Sequence, residues 1–171
     1  MKGLFMEWTQ SCIACFVAVC AAVALSTSTH AQPPTGDHNP RDLPILQKWS
    51  GDFPIAHLDR LPEGQTDTSI GYIGKKSVFA NVWKAFKPEE PVPEMDFNKN
   101  LVVYTRNVTF YNRLSIFKIT LSGDTIHIMA METRSALPIE DHAAMAMAAI
   151  PREGIKYIQA GNELIPISDE P

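Results

Sequence analysis

Two groups of residues in this 171-residue chain have the types and spacing to do chemistry. The first is stretch 106–113, Arg106-Asn107-Val108-Thr109-Phe110-Tyr111-Asn112-Arg113, which lies between two apolar runs. Arg106 and Arg113 can fork onto a carboxylate through charge-assisted hydrogen bonds. Asn107 and Asn112 can bond a peptide backbone, and Tyr111 is a typical interface anchor. The plainer reading is a structural loop whose Arg and Asn side chains satisfy backbone groups and nearby acids such as Glu132 or Asp141. Asn107-Val108-Thr109 also matches a glycosylation sequon, a motif too short to carry weight without a host.

The second group is soft. His127, Met129 and Met131 alternate, so on a strand their side chains share a face. Met145 and Met147 do the same further on, with His142 on the opposite parity to them. Imidazole and thioether ligands together suit Cu(I). Against this stands the ordinary use of methionine to fill irregular core gaps. No tight Met-x-x-Met or His-x-His spacing is present, so these four methionines are expected mainly to fill the core.

An enzyme needs a nucleophile with a base, or paired acids. Glu140-Asp141-His142 and Arg152-Glu153 are sequence neighbours, and neighbours on a strand point to opposite faces. Ser115 with His127, or Glu132 with His127 and Asp141, need the fold to bring them together. A small hydrolase is therefore the weakest reading, and no motif implies a cofactor.

The opening residues read as an address. Lys2 is followed by an apolar run over 13–25, then Ser26-Thr27-Ser28-Thr29 and small residues up to Ala31. That is the layout of a secretory signal peptide over 1–31. The run is short for a bilayer span, which takes about 20 residues. Val19 is large for the position before a lipidated cysteine, so Cys20 fits poorly as a lipoprotein site. Cys12, Cys15 and Cys20 all leave with the segment, so the exported domain must rely on packing rather than disulfides. The net charge of −4 survives removal of Lys2 and Glu7, and it argues against a nucleic-acid surface. Without basic clusters, stable membrane insertion is not expected once the signal is cleaved.

These elements must position the candidates. Stretch 32–44 holds four prolines and reads as a disordered linker, leaving a single domain over 45–171. Stretch 49–58 mixes apolar residues with Gly51 and Pro54, as an irregular edge strand does. Residues 69–73 form a short strand. A helix is predicted over 78–87, capped by Ser77, with Val78, Phe79, Val82, Trp83 and Phe86 on one face. Pro88 stops it and a stiff acidic loop follows. Residues 101–105 read as a central strand. Residues 114–121 alternate imperfectly, with Phe117, Ile119 and Leu121 on one face and Leu114 and Ile116 on the other. Hairpin turns fall at Ser122-Gly123-Asp124 and Ala160-Gly161-Asn162. Alanine and methionine favour helix over 142–150, but their alternation fits a closely packed strand slightly better. The fold class is α+β, a mainly antiparallel sheet with one short amphipathic helix on a face.

From Phe79 to Ile158 the order of features resembles one bacterial family, the exported protease-complex accessory (PrcB-type C-terminal) domain. The resemblance is carried by the helix with Trp83, by Pro91 and Pro93 leading into Asp96-Phe97, by Val102-Val103 and by the hairpin after it. Where that family places glycines before the hairpin, this chain has 106–113. The resemblance implies a domain that accompanies a protease outside the cytoplasm. The expected function is a non-catalytic binding module for a protein or peptide partner, using Arg106, Asn107, Tyr111, Asn112 and Arg113.

Overall fold

A computed structural model describes residues 39–107, 113–133 and 141–168. The signal segment 1–31, Tyr111, Asn112 and the sequon's Val108 and Thr109 lie outside the described residues. Nine strands and one helix follow in the order β1 (Arg41–Asp42), β2 (Gln47–Pro54), β3 (Ile70–Ile73), α1 (Lys76–Phe86), β4 (Asn100–Asn107), β5 (Arg113–Ser122), β6 (Thr125–Thr133), β7 (His142–Pro151), β8 (Tyr157–Ala160) and β9 (Glu163–Pro166) among the described residues. A 3-10 turn, Ile55–Arg60, follows β2. The fold is α+β: two sheets, antiparallel except where β8 runs parallel to β6, with one short helix.

The strands form a four-stranded sheet, β2-β7-β4-β3, and a five-stranded sheet, β1-β5-β6-β8-β9. The four-stranded sheet is the middle of three layers. Along β7, Ala144, Ala146, Ala148 and Ile150 face the five-stranded sheet, joined there by Leu101 and Val103 of β4. Met145, Met147 and Ala149 face the other way, with Val102 and Tyr104, into a second core closed by α1. A strand buried on both faces needs no polar side, which explains the unbroken run of alanine and methionine. It settles 142–150 as strand despite helix propensity, because ladder pairing and two-sided burial outweigh a few tenths of a kcal/mol per residue. Alanines on the inter-sheet face also let the sheets approach closely.

The helix turns Phe79, Val82, Trp83 and Phe86 into the second core. Trp83 is fully buried and edges onto Trp49 at 5.3 Å and Phe86 at 6.0 Å between centroids. Its indole N–H donates to the Glu90 carbonyl at 3.2 Å, tying the acidic loop to the helix. β2 lies at the sheet's edge. Gly51 within it sits so close to α1 that a Cβ there would meet the Phe86 ring at 3.2 Å.

Three expectations need correction. The helix starts at Lys76, and Ser77 lies inside its first turn; the cap position is Lys75, which makes no side-chain capping bond among the described residues. The ordered chain begins before Ile45: Arg41 and Asp42 pair with Leu121 and Thr120, and the Leu43 side chain is buried in the inter-sheet core. This short pairing and one buried leucine hold 41–43 between Pro40 and Pro44. In β5, Ile116 pairs with Ala130 and Lys118 with Met129, leaving Phe117 as the extra residue of a bulge. The bulge resets the alternation. Leu114, Ile116, Ile119 and Leu121 therefore all face the core, and Phe117 is 52% exposed.

Candidate functional site

The 106–113 candidates separate once the strands are in place. Arg106 belongs to β4 and is buried. Its Nε donates to the Thr68 carbonyl at 2.9 Å and its Nη2 to the Thr66 carbonyl. Its amide donates to the Ser69 carbonyl at 2.8 Å. Burial lowers the Arg106 pKa from its ordinary value, while Tyr104 and Asp67 nearby oppose that. The guanidinium thus clamps the 66–69 turn by holding its carbonyls. Asn107 donates from Nδ2 to Glu132 Oε2 at 3.0 Å, again as the plainer reading expects. Arg113 is exposed at the start of β5, its amide donating to the Thr133 hydroxyl at 3.3 Å. Between these elements lies a cleft of about 350 Å³ lined by Asp67, Thr68, Arg106, Asn107, Leu114 and Glu132, among others. Two carboxylates, Asp67 and Glu132, are among its lining residues.

The same turn is anchored from the other side by Tyr104, which sequence reasoning placed only as part of an apolar strand. Its hydroxyl is wholly buried and shares its proton between the Gln65 carbonyl at 3.3 Å and Gln65 Oε1 at 3.4 Å. Burial pushes the Tyr104 pKa up to about 12, against a hydrogen bond with Thr68 and the charge of Arg106. Gln65 Oε1 also accepts the Tyr72 amide at 2.7 Å, satisfying a donor of the edge strand β3. No sequence signal announces this, because Tyr104 and Gln65 are far apart along the chain.

The soft residues divide between two faces of the molecule. Met145 and Met147 are fully buried against the helix layer. His127, Met129 and Met131 lie on the outer side of the five-stranded sheet, since Ile126 between them and the strand start faces the core. Met129 is 45% and Met131 61% exposed, so the expectation that all four methionines fill the core holds for only two. The reason is the face: Met129 and Met131 share the outer side of β6 with His127, opposite the side on which Ile126 enters the inter-sheet core, and from Met129 to Thr133 every residue of β6 is exposed. The five candidates therefore do not converge on one centre.

That outer face carries more apolar surface. Phe117 at 52%, Tyr157 at 36% and Leu164 at 54% are exposed on the same five-stranded sheet as the two methionines. The register sets polar residues among them: Lys118 lies opposite Met129, Tyr157 lies opposite Thr125, and His127 is flanked by Thr120 and Gln159, with Leu164 beyond Gln159. Lys118 is drawn aside to Asp42 at 2.9 Å.

The hydrolase sets are not assembled. Ser115 lies opposite Met131, whereas His127 lies opposite Thr120, well along the strand. Glu132 and His127 differ by an odd number of residues on β6 and so project from opposite faces. Arg152 holds carbonyls of Gly74, Phe97 and Ser168. Among the described residues no three His, Cys, Asp or Glu side chains group as a metal site, and no helix is long and apolar enough to cross a membrane. No known protein family matches the chain, and neither a curated protein nor a solved structure shows significant similarity to it.

Proposed function

We propose that this chain is an exported, non-catalytic module that binds a protein partner outside the cytoplasm through the outer face of its five-stranded sheet. One observation carries the reading: Phe117, Met129, Met131, Tyr157 and Leu164 are large apolar side chains exposed on one sheet. Single exposed apolar residues are ordinary, but five large ones on one sheet, interspersed with polar groups such as His127 and Gln159, suit a mixed interaction surface. Flexible methionines suit a surface that adapts to its partner. The layout of residues 1–31 supports export, and the resemblance to a protease-accessory domain supports a protein partner. Arg113, exposed at the start of β5, takes the role of a polar rim.

A photo-crosslinking residue placed at Met131 and, as control, at Lys84 on the exposed side of α1 tests this in the native envelope. We expect one protein species to be captured from position 131, not from 84, and to be lost in Leu164→Lys. Equal capture from both positions, or capture of this chain alone, overturns the reading. Loss of the same species in Tyr111→Ala/Arg113→Ala would bring the rim into the interface. Mass spectrometry of the exported form is expected to find the N-terminus just after Ala31; an intact terminus in a membrane pellet would remove the exported, processed part of the proposal.

A further inference from the structure

The geometry points to a binding site for a soft monovalent cation, Cu(I) or Ag(I), on β6, in which Met129 is the shared ligand and His127 or Met131 supplies the second donor. Three soft donors stand at alternate positions on the outer face of one strand. His127 is partly exposed, and Met129 and Met131 are 45% and 61% exposed, so all three can reach an ion from solvent. Thioether and imidazole groups select soft d10 cations over hard divalent ones.

Strand geometry decides which donors act together. Alternate residues on a strand are about 6.7 Å apart, so two neighbouring side chains can lean onto one ion between them. His127 and Met131 are separated by about 13 Å and cannot both close on an ion held beside either of them. Met129, in the middle, belongs to both possible pairs. The surroundings fit a cation: Thr120 and Gln159 flank His127 with neutral groups. Lys118, the one cation opposite Met129, is held by Asp42 at 2.9 Å. Met145 and Met147, wholly buried in the other core, take no part. This inference does not rest on the docking reading, and its readout does not use a protein partner.

The probe is Ag(I) alone, in chloride-free buffer, added to the full chain with Cys12, Cys15 and Cys20 replaced by serine so that thiols do not compete. The methionine methyl groups are followed by carbon-13 NMR. We expect the Met129 methyl resonance to shift and saturate at one ion per chain while those of Met145 and Met147 stay in place. Met129→Leu should abolish the saturable shift at Met131. His127→Ala and Met131→Leu should each weaken binding about tenfold without abolishing it, since the other pair remains. Absence of a saturable shift at Met129, movement of Met145 and Met147 in step with it, or unaltered binding in Met129→Leu would overturn the proposal.

Discussion

Arg106 Nε donates to the Thr68 carbonyl at 2.9 Å, and that contact turns the most suspect arginine of the sequence into a structural one. A buried guanidinium holding carbonyls is costly to remove, because it leaves acceptors unsatisfied as well as a void. We expect Arg106→Ala to lose on the order of 3 kcal/mol in chemical denaturation. Arg106→Lys should recover only part, since an ammonium cannot reproduce the planar fork that spans Thr66 and Thr68. A loss below about 0.5 kcal/mol for Arg106→Ala would mean that the clamp carries little of the fold's stability.

Tyr104 sets the behaviour at alkaline pH. Its folded-state pKa is raised to about 12, above the unfolded value near 10, so the neutral form is favoured by folding. Its contribution, roughly 2–3 kcal/mol, is fully present below about pH 10 and is lost as pH rises to about 12. Urea midpoints measured from pH 9 to 12 for the native chain and for Tyr104→Phe should differ in slope only above about pH 10. Parallel profiles would show that the hydroxyl is not held in its buried, neutral form.

Gly71 is where that hydroxyl excludes a side chain. A Cβ on Gly71 would collide with Tyr104 Oη and Gln65 Oε1. Gly71→Ala should therefore cost about 1–3 kcal/mol, as overpacking does. Combined with Tyr104→Phe, the two losses should be less than additive, because the second substitution removes one of the clashing atoms. Strict additivity in a double-mutant cycle would place the cost of the alanine elsewhere.

The helix offers a paired expectation. Trp83→Ala should cost about 3–5 kcal/mol, since the ring is fully buried among Trp49, Phe79 and Phe86 and its N–H is bonded to Glu90. Ser77→Ala should change stability by less than about 0.5 kcal/mol, because Ser77 lies within the first turn and does not cap it. A cost near 1 kcal/mol for Ser77→Ala is what a capping serine would show.

Much of the fold was legible along the chain because its causes are local. The apolar spacing of Phe79, Val82, Trp83 and Phe86 is a helix face wherever it occurs. Gly123 and Gly161 supply positive φ, at 62° and 60°, in two hairpin turns that their neighbours already mark. The run through Val102 and Val103 belongs in the middle of a sheet because neither side of it is polar.

What tertiary structure alone decided is whether each face is covered. Alternation places His127, Met129 and Met131 on one side of β6 and Met145 and Met147 on one side of β7, and there the local information ends. β7 is sandwiched between another sheet and a helix, so its methionines are core; β6 turns Ile126 to the inter-sheet core and its methionines to the outer face, so they meet solvent. Arg106 follows the same logic in reverse. Its sequence neighbours suggest a loop, but β4 extends through Asn107 and the 66–69 turn folds over it, supplying carbonyls from nearly forty residues away. Phe117 is exposed because a single extra residue shifts the register against β6, a mismatch between two strands that neither strand contains by itself. A period in the sequence specifies which side chains share a face; only the assembled layers specify what that face touches.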